Sequence, residues 1–161
     1  MGGGELNLNG FDVYNKETFI IRSDGNTINI NGDIKYSDSD MQNGGDVPKV
    51  VIYADNINIK CSVNQLDAIL IAEGTVNTCS NASSNVDSRE RSNQLRLRGM
   101  VIANTMVLPR TYGTASGYWS GLAAEEINYD TSALLWGRYM AGSGESGTLT
   151  TVYQSELPTR Y

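Results

Sequence analysis

The sequence carries a degenerate repeat whose period can be counted. Four segments share one template, in which two or three apolar residues, a small residue and one to four polar residues precede an alternating apolar–polar run. These segments are Phe19–Asn31, Val51–Lys60, Leu70–Thr78 and Val101–Pro109. Their small residues are Ser23, Ala54, Ala72 and Ala103, at intervals of 31, 18 and 31 residues (54−23, 72−54 and 103−72). Because each strand is too short to bury its own apolar face, strands repeated at one coil length predict a stacked solenoid.

The unequal intervals predict a coil of 18 residues with loops inserted in alternate turns. Each long interval exceeds the short one by 13 residues (31−18) and contains a very polar segment, Ser37–Lys49 or Ser80–Arg91. Period-2 alternation in Leu6–Val13 and Thr27–Ile34 is typical of half-buried strands. Residues 1–110 are therefore expected to form the coils of a single-domain, all-β parallel β-helix.

The two cysteines, Cys61 and Cys79, are separated by the same 18 residues as Ala54 and Ala72 (79−61 and 72−54). They therefore occupy equivalent positions on adjacent coils, just past the alternating run. Neighbouring strands lie ~4.8 Å apart, within the Cα–Cα range that a disulfide tolerates. We expect a disulfide between them, and two buried free thiols in a ladder are the alternative. A disulfide would indicate an oxidising compartment outside the cytoplasm.

Composition argues against several kinds of partner. Charged residues make up only 19% of the chain, and its 16 asparagines suit tight turns and stacked side-chain ladders. The net charge of −6 argues against a nucleic-acid partner, which needs a basic stripe. A local basic run, Arg89, Arg91, Arg96 and Arg98, is expected to be a solvated loop and an outward strand face.

No membrane insertion is expected, because no segment approaches the ~18 apolar residues that cross a bilayer. Met1–Gly10 lacks the basic start and the apolar stretch of a signal peptide. The opening MGGG leads directly into strand character, as expected for a piece cut from a longer chain.

The absence of histidine narrows the chemistry. It removes Ser-His-Asp and Cys-His catalysis and His-ligated zinc, and no Gly-rich phosphate loop with its lysine is present. Carboxylate chemistry of the glycosidase kind remains. Its candidates are Asp33, Asp55, Asp67, Glu73, Asp87, Glu125, Glu126 and Asp130. Asp55 and Glu73 are 18 residues apart (73−55) and could stack as a pair, although two polar residues at a solvated turn is the simpler interpretation.

No metal site and no cofactor are expected. The loop Asp38–Asp46 is acidic and Gly-rich, but it departs from the EF-hand pattern at Gln42, Asn43 and Lys49. Whether this loop binds a cation stays open at this stage.

The C-terminal third differs from the coils. Six of the nine tyrosines and both tryptophans lie in residues 112–161, and Leu134–Met140 has the spacing of a short helix. Because a solenoid needs a cap against edge-to-edge pairing, residues 111–161 are expected to form a helical or aromatic cap of the same domain. The candidates for an interface or a binding surface are Tyr112, Tyr118, Trp119, Trp136 and Tyr139.

The chain resembles parallel β-helix regions of large bacterial envelope and surface proteins in three segments, VVIYADNINI (Val50–Ile59), LIAEGTVNTC (Leu70–Cys79) and QLRLRGMVIANTMVLPR (Gln94–Arg110). Its tail segments AEEINYDTSALLW and TTVYQSELPTRY resemble the closing part of such regions. The resemblance implies a β-helix at the cell surface. Families of this shape include adhesins, pilus-associated proteins, polymer-forming scaffolds and polysaccharide lyases, and the acidic calcium clusters of the lyases match no residues here.

Together these features favour a non-catalytic structural module for surface assembly, filament formation or adhesion, located extracellularly or at the cell surface. The expected partners are other copies of the chain in a homo-oligomer, or the rest of a larger surface protein, and a polysaccharide is a further candidate. One alternative is a carbohydrate-active enzyme, a polysaccharide lyase or hydrolase, which requires a groove with two or three carboxylates near an arginine. The other alternative is a glycan-binding module with an exposed row of Tyr and Trp.

Overall fold

The computed structural model describes residues 4–14, 16–37, 48–80, 93–110 and 123–129. These residues form an all-β structure in which eight strands belong to one curled sheet and every pairing is parallel. The strands are β1 (Glu5–Leu8), β2 (Phe11–Val13), β3 (Thr18–Ile30), β4 (Ile34–Tyr36), β5 (Lys49–Ile59), β6 (Gln65–Asn77), β7 (Leu95–Val107) and β8 (Glu125–Tyr129). This described part contains no helix, and hence none long and apolar enough to cross a membrane.

The pairings divide the sheet into three ladders, which the chain visits in a fixed order. The first ladder joins residues 18–23, 49–54, 69–72 and 100–103. The second joins β1 with residues 27–30, 56–59, 75–77 and 105–107. The third joins β2, β4, residues 65–68, residues 95–99 and β8. Strand β6 runs through all three, because its ends pair with β4 and β5 on one side and with β7 on the other.

The register confirms the repeat that the sequence predicts. Ser23 pairs with Ala54, Ala54 with Ala72 and Ala72 with Ala103. Directly after each of these positions the register shifts, as at a β-bulge, before the second ladder begins. A bulge bends the strand, and a small buried side chain fits the inside of such a bend. The small residue of the repeat therefore marks the bend between the first and the second ladder.

The inserted segments leave the coil at two different corners. Residues 37–48 connect the third ladder at β4 to the first ladder at β5, whereas residues 78–94 connect the second ladder at β6 to the third ladder at β7. The 18 residues from Ala54 to Ala72 pass through all three ladders without an insertion. The coil length inferred from the sequence is therefore the length of an uninterrupted turn.

Apolar side chains in register form the core. Ile28, Ile57 and Val76 are consecutive partners in the second ladder, and each is fully buried. Alternation in the sequence predicts eight buried side chains: Ile52, Ile57, Ile59, Leu70, Ile71, Val76, Ile102 and Val107. Five of them are confirmed, namely Ile52, Ile57, Ile59, Leu70 and Val76.

Three other predictions of burial are wrong or only partly right. Ile71 is half-buried, while Ile102 and Val107 are 51% and 39% exposed. Ile71 and Ile102 pair in the row of Tyr53, which points outward because its neighbours Ile52 and Ala54 point inward. A one-residue offset in a strand is enough to move a side chain to the other face.

Asparagines form a ladder on the outer side of the second ladder. Asn7, Asn29, Asn58 and Asn77 are successive register partners. Asn29 Nδ2 donates to Asn7 Oδ1 at 3.3 Å, and Asn58 Nδ2 donates to Asn29 Oδ1 at 3.1 Å. Val107 occupies the next position of this row, which is why it faces outward.

The parallel sheet continues beyond residue 110, because β8 pairs with β7 from Leu95–Glu125 to Gly99–Tyr129. This strand falls within the segment 111–161 that the sequence suggests as a cap. The predicted helix at Leu134–Met140 and the acidic loop Asp38–Asp46 lie outside the described residues.

Candidate functional site

A polar cleft of about 400 Å³ opens on the outer side of the third ladder. Its lining residues come from three consecutive rungs of the sheet and are Asp33, Lys35, Asn64, Gln65, Asn93, Gln94 and Arg96. The cleft contains one carboxylate, two cations and four side-chain amides. It therefore offers hydrogen-bonding groups rather than the apolar walls of most small-molecule pockets.

Asp33 occupies the end of the turn before β4 and is the most strongly held group of the cleft. Its Oδ1 accepts the backbone N–H groups of Asn64 and Gln65 at 2.7 and 3.2 Å, and its Oδ2 lies 2.9 Å from Lys35 Nζ. Burial raises the pKa of Asp33, but these hydrogen bonds and the lysine outweigh it, so the pKa lies below its ordinary value. Asp33 is therefore an ionised carboxylate that joins adjacent coils.

Arg96 forms the opposite side of the cleft on β7. Its Nε donates to Gln94 Oε1 at 3.2 Å and lies 3.6 Å from Glu126 Oε2. The side chains of Arg96 and Glu126 are 67% and 42% exposed, so this ion pair contributes little to stability. The expectation that Arg96 and Arg98 lie on an outward strand face is confirmed, since both are exposed residues of β7.

Asp67 lies beside the cleft and is fully buried although it faces outward. Its Oδ2 accepts the backbone N–H of Tyr36 at 2.9 Å, and Arg98 donates to both of its oxygens at 3.2 and 2.9 Å. Tyr36 pairs with Val13 of β2, but the register of β4 with β6 is limited to Ile34–Leu66, so Tyr36 has no register partner on β6. The buried carboxylate satisfies the Tyr36 N–H, as a buried polar group requires. Asp67 is therefore part of the framework.

The carboxylates Asp55 and Glu73 accept hydrogen bonds from different partners. Asp55 Oδ1 accepts the backbone N–H of Gly25 at 2.9 Å, whereas Glu73 accepts the hydroxyl of Tyr53. That hydrogen bond raises the pKa of Tyr53. Each carboxylate thus has its own local partner at the bend of its strand.

Arg110 follows β7 and binds the backbone of two earlier corners, the one between β5 and β6 and the one between β6 and β7. It is only 5% exposed, and its guanidinium donates to the carbonyl oxygens of Lys60, Cys61, Thr78 and Asn93 at 2.8 to 3.1 Å. Burial lowers the pKa of Arg110 to about 10, and the nearby Glu125 opposes this effect. The guanidinium is therefore still charged at neutral pH. Glu125 Oε1 accepts a hydrogen bond from the Thr78 hydroxyl at 2.8 Å and another from the backbone N–H of Arg110 at 3.2 Å.

Cys61 and Cys79 lie at disulfide-bonding distance from each other, at the corners whose carbonyl oxygens Arg110 binds. Their Cα atoms are 4.2 Å apart, and both residues are buried. Both follow the second ladder on consecutive coils, as the shared 18-residue interval implies. The bond and the guanidinium thus join the same corners of the sheet.

We predict that protein purified without reductant contains this bond. Intact-mass measurement after alkylation should show no modified cysteine, and reduction before alkylation should add two labels, because both sulfurs would then be free. Denaturant is present during alkylation so that burial does not hide a free thiol. Two labels without reduction would contradict the prediction.

Seven of the residues that the sequence suggests lie outside the described residues: Tyr112, Tyr118, Trp119, Trp136, Tyr139, Asp87 and Asp130. Within the described residues, no group of three or more His, Cys, Asp or Glu side chains could hold a metal ion.

Sequence reasoning did not identify the cleft. Asp33 was one of many acidic candidates, and Lys35, Asn64, Gln65, Asn93 and Gln94 stood in no motif. These residues share one feature in the sequence: each lies at or next to the beginning of β4, β6 or β7. The repeat places these three strands on neighbouring rungs. Aligning coils by ladder, rather than by the small residue alone, could have found them.

Comparison with protein-family models, curated proteins and solved structures finds no match for this chain. The class of protein is therefore defined by its own geometry, an all-β curled parallel sheet with a polar cleft on its outer side.

Proposed function

We propose that this chain is an extracellular structural module of the β-solenoid type that works through assembly or attachment. The observation that carries the proposal is that, among the described residues, no further strand covers the apolar core at either end of the stack. The rows of inward side chains are buried in the middle rungs and exposed in the terminal rungs.

At one end, β1 and the first part of β3 are the terminal rungs. Leu6 belongs to the same row as Ile28, and Phe19 to the same row as Val50. Ile28 and Val50 are fully buried, whereas Leu6 and Phe19 are 38% and 39% exposed. Within the described residues, nothing pairs with the outer edges of these two segments.

The other end of the stack also exposes apolar side chains of the inward rows. Met106 continues the row of Val76, and Ile127 continues the row of Leu97. Val76 and Leu97 are buried, whereas Met106 and Ile127 are 38% and 43% exposed. In the described part of the chain, the second half of β7 pairs with β6 alone.

The exposed large apolar side chains of the described residues lie on or next to terminal rungs, and β5 and β6 carry none; of these side chains, Ile102 and Val107 face outward. A contiguous apolar patch beside an unpaired strand edge is a site for protein association. All rungs are parallel, so the two ends are complementary rather than identical. A contact between the first end of one copy and the second end of another is therefore head-to-tail, and such contacts propagate into filaments.

The cysteine pair supports the extracellular location in this proposal. A disulfide between Cys61 and Cys79 persists in an oxidising compartment and is rare in the cytosol. The Asn ladder and the stacked core make each rung depend on its neighbours, as in other repeat proteins.

The assembly is tested by sedimentation velocity on Leu6→Lys and Met106→Lys variants. Each lysine places a charge in one open end, where docking a second copy would bury it without a partner. We expect concentration-dependent oligomers or filaments for the natural chain and monomers for either variant. An equimolar mixture of the two variants should give dimers, because one natural end of each kind remains.

Ser62→Lys is the matched control, since Ser62 is exposed at a corner of an interior rung. It adds the same charge and should leave assembly unchanged. A natural chain that stays monomeric at its solubility limit would overturn the proposal. Persistence of oligomers in both lysine variants would do the same.

A second candidate function, binding of a polysaccharide, is favoured by the polar cleft. The cleft contains Asp33 as its carboxylate, ion-paired to Lys35 and with a pKa below its ordinary value. A general acid in glycoside hydrolysis needs a raised pKa and a second carboxyl group nearby. The cleft therefore suits binding better than hydrolysis.

A further inference from the structure

We propose that the cleft binds a glycan that carries carboxylate groups, such as a chain containing uronic acids. The inference deepens the attachment part of the proposed function by naming a ligand class. It rests on which hydrogen-bonding groups of the cleft already have partners and which remain for a ligand.

The carboxylate of the cleft and the Gln94 side-chain oxygen already have hydrogen-bond or ion-pair partners. Asp33 accepts two backbone N–H groups and faces Lys35 Nζ. The Gln94 side-chain oxygen accepts from Arg96 Nε, and its Nε2 donates to the Ala123 carbonyl oxygen. Gln65 Nε2 donates to Asp67 at 3.0 Å. Neutral amide oxygens, those of Asn64, Gln65 and Asn93, are the acceptors that remain for a ligand within the described residues.

The groups that remain are mostly donors with positive charge. A lysine ammonium has three N–H donors, and Lys35 uses one of them on Asp33. Arg96 lines the cleft and engages only its Nε within the described residues, so its two terminal nitrogens have no partner there. Terminal guanidinium nitrogens match a carboxylate in a two-bond geometry. The cleft therefore favours a ligand with anionic acceptor oxygens.

The positions of the two cations favour a chain over a single small anion. Lys35 lies on β4 and Arg96 on β7, and β6 lies between these two strands. Two strand spacings of ~4.8 Å separate the two backbones by about 10 Å. Successive sugars of an acidic glycan extend over a distance of this size, so a chain can contact residues of both strands.

The amides of the cleft suit the neutral part of such a ligand. The Asn64 and Asn93 side chains form no hydrogen bond within the described residues, and an amide both donates and accepts. Sugar hydroxyl groups need this dual capacity. The net charge of −6 repels polyanions in general, so attraction depends on the local cations and not on the whole protein.

Binding is tested by isothermal titration with three probes: trigalacturonate, its methyl ester and inorganic phosphate. The methyl ester has the same shape without the charges. We expect trigalacturonate to bind, the ester to bind about tenfold more weakly or worse, and phosphate not to bind measurably. Added salt should weaken the binding of trigalacturonate, because the attraction is electrostatic.

Arg96→Gln should weaken trigalacturonate binding about tenfold, because it removes the charge and the two-bond donor. Arg22→Gln is the matched control, since Arg22 is an equally exposed arginine paired with Asp24 outside the cleft. Circular dichroism checks that both variants are folded.

Three results would overturn the inference: no binding of trigalacturonate to the natural chain, equal binding of the ester, or an unchanged affinity in Arg96→Gln. Phosphate binding as tight as that of trigalacturonate would also overturn it, because the site would then be a small-anion site. Sedimentation of Arg96→Gln without sugar separates the two proposals, since self-assembly does not depend on the cleft.

Discussion

Replacement of Gly99 with alanine should destabilise the fold by about 3 kcal/mol or more. Gly99 has φ of 150°, a backbone conformation that residues with a Cβ rarely adopt. A Cβ at this position would lie 2.0 Å from the carbonyl oxygen of Ala68 and 2.7 Å from its carbonyl carbon. Both contacts are with backbone, so no side-chain rotation relieves them, and the β6–β7 pairing must move apart.

The effect is measured as the free energy of unfolding in urea, with Gly4→Ala as the control. A Cβ at Gly4 meets only the Asn26 side-chain oxygen at 3.5 Å, which is an ordinary contact. Gly4→Ala should therefore change stability by less than about 0.5 kcal/mol. If Gly99→Ala unfolds at the same urea concentration as the natural chain, then the close approach of β6 and β7 is wrong.

Replacement of Arg110 with methionine should cost about 3 kcal/mol or more. The methionine fills similar space but donates no hydrogen bond, so the carbonyl oxygens of Thr78 and Asn93 lose a donor. The Lys60 oxygen keeps the N–H of Val63 at 3.0 Å. A buried carbonyl without a partner costs roughly 1–3 kcal/mol, and stacked corners offer little room for water.

Two further variants make the Arg110 test specific. Arg110→Lys keeps the charge but lacks the planar fork, so it should lose an intermediate amount of stability. Arg22→Met removes an arginine whose side chain is 65% exposed and should leave the free energy of unfolding nearly unchanged. A stability of Arg110→Met equal to that of Arg22→Met would show that the guanidinium does not hold the corners.

The register of the sheet could be predicted from the intervals between the small residues of the repeat. The alignment of Ser23, Ala54, Ala72 and Ala103 follows from counting, and the Cys61–Cys79 contact follows from the same interval. Both could be predicted because neighbouring rungs of a parallel stack differ by one coil length. Alternation then assigned the inward residues of the middle rungs, such as Ile52 and Leu70.

Alternation was less informative at the ends of the stack. It could not tell that Ile102 and Val107 point outward, because β7 is apolar on both faces over this stretch. Nor could spacing say at which corner each insertion leaves the coil, since an interval of 31 residues is the same wherever the extra residues are placed. The pairing of β4 with β6 and of β6 with β7 decided that point.

The sequence by itself determined the coil length, the parallel stacking of rungs and the proximity of the two cysteines, because these depend on intervals along the chain. Only the tertiary structure decided the polar cleft, the buried Asp67 and the role of Arg110. Each of these sites joins residues from rungs that are 15 to 50 residues apart in sequence. Their chemistry depends on which side chains face one another at the corners. The length of the sequence repeat does not specify which side chains these are.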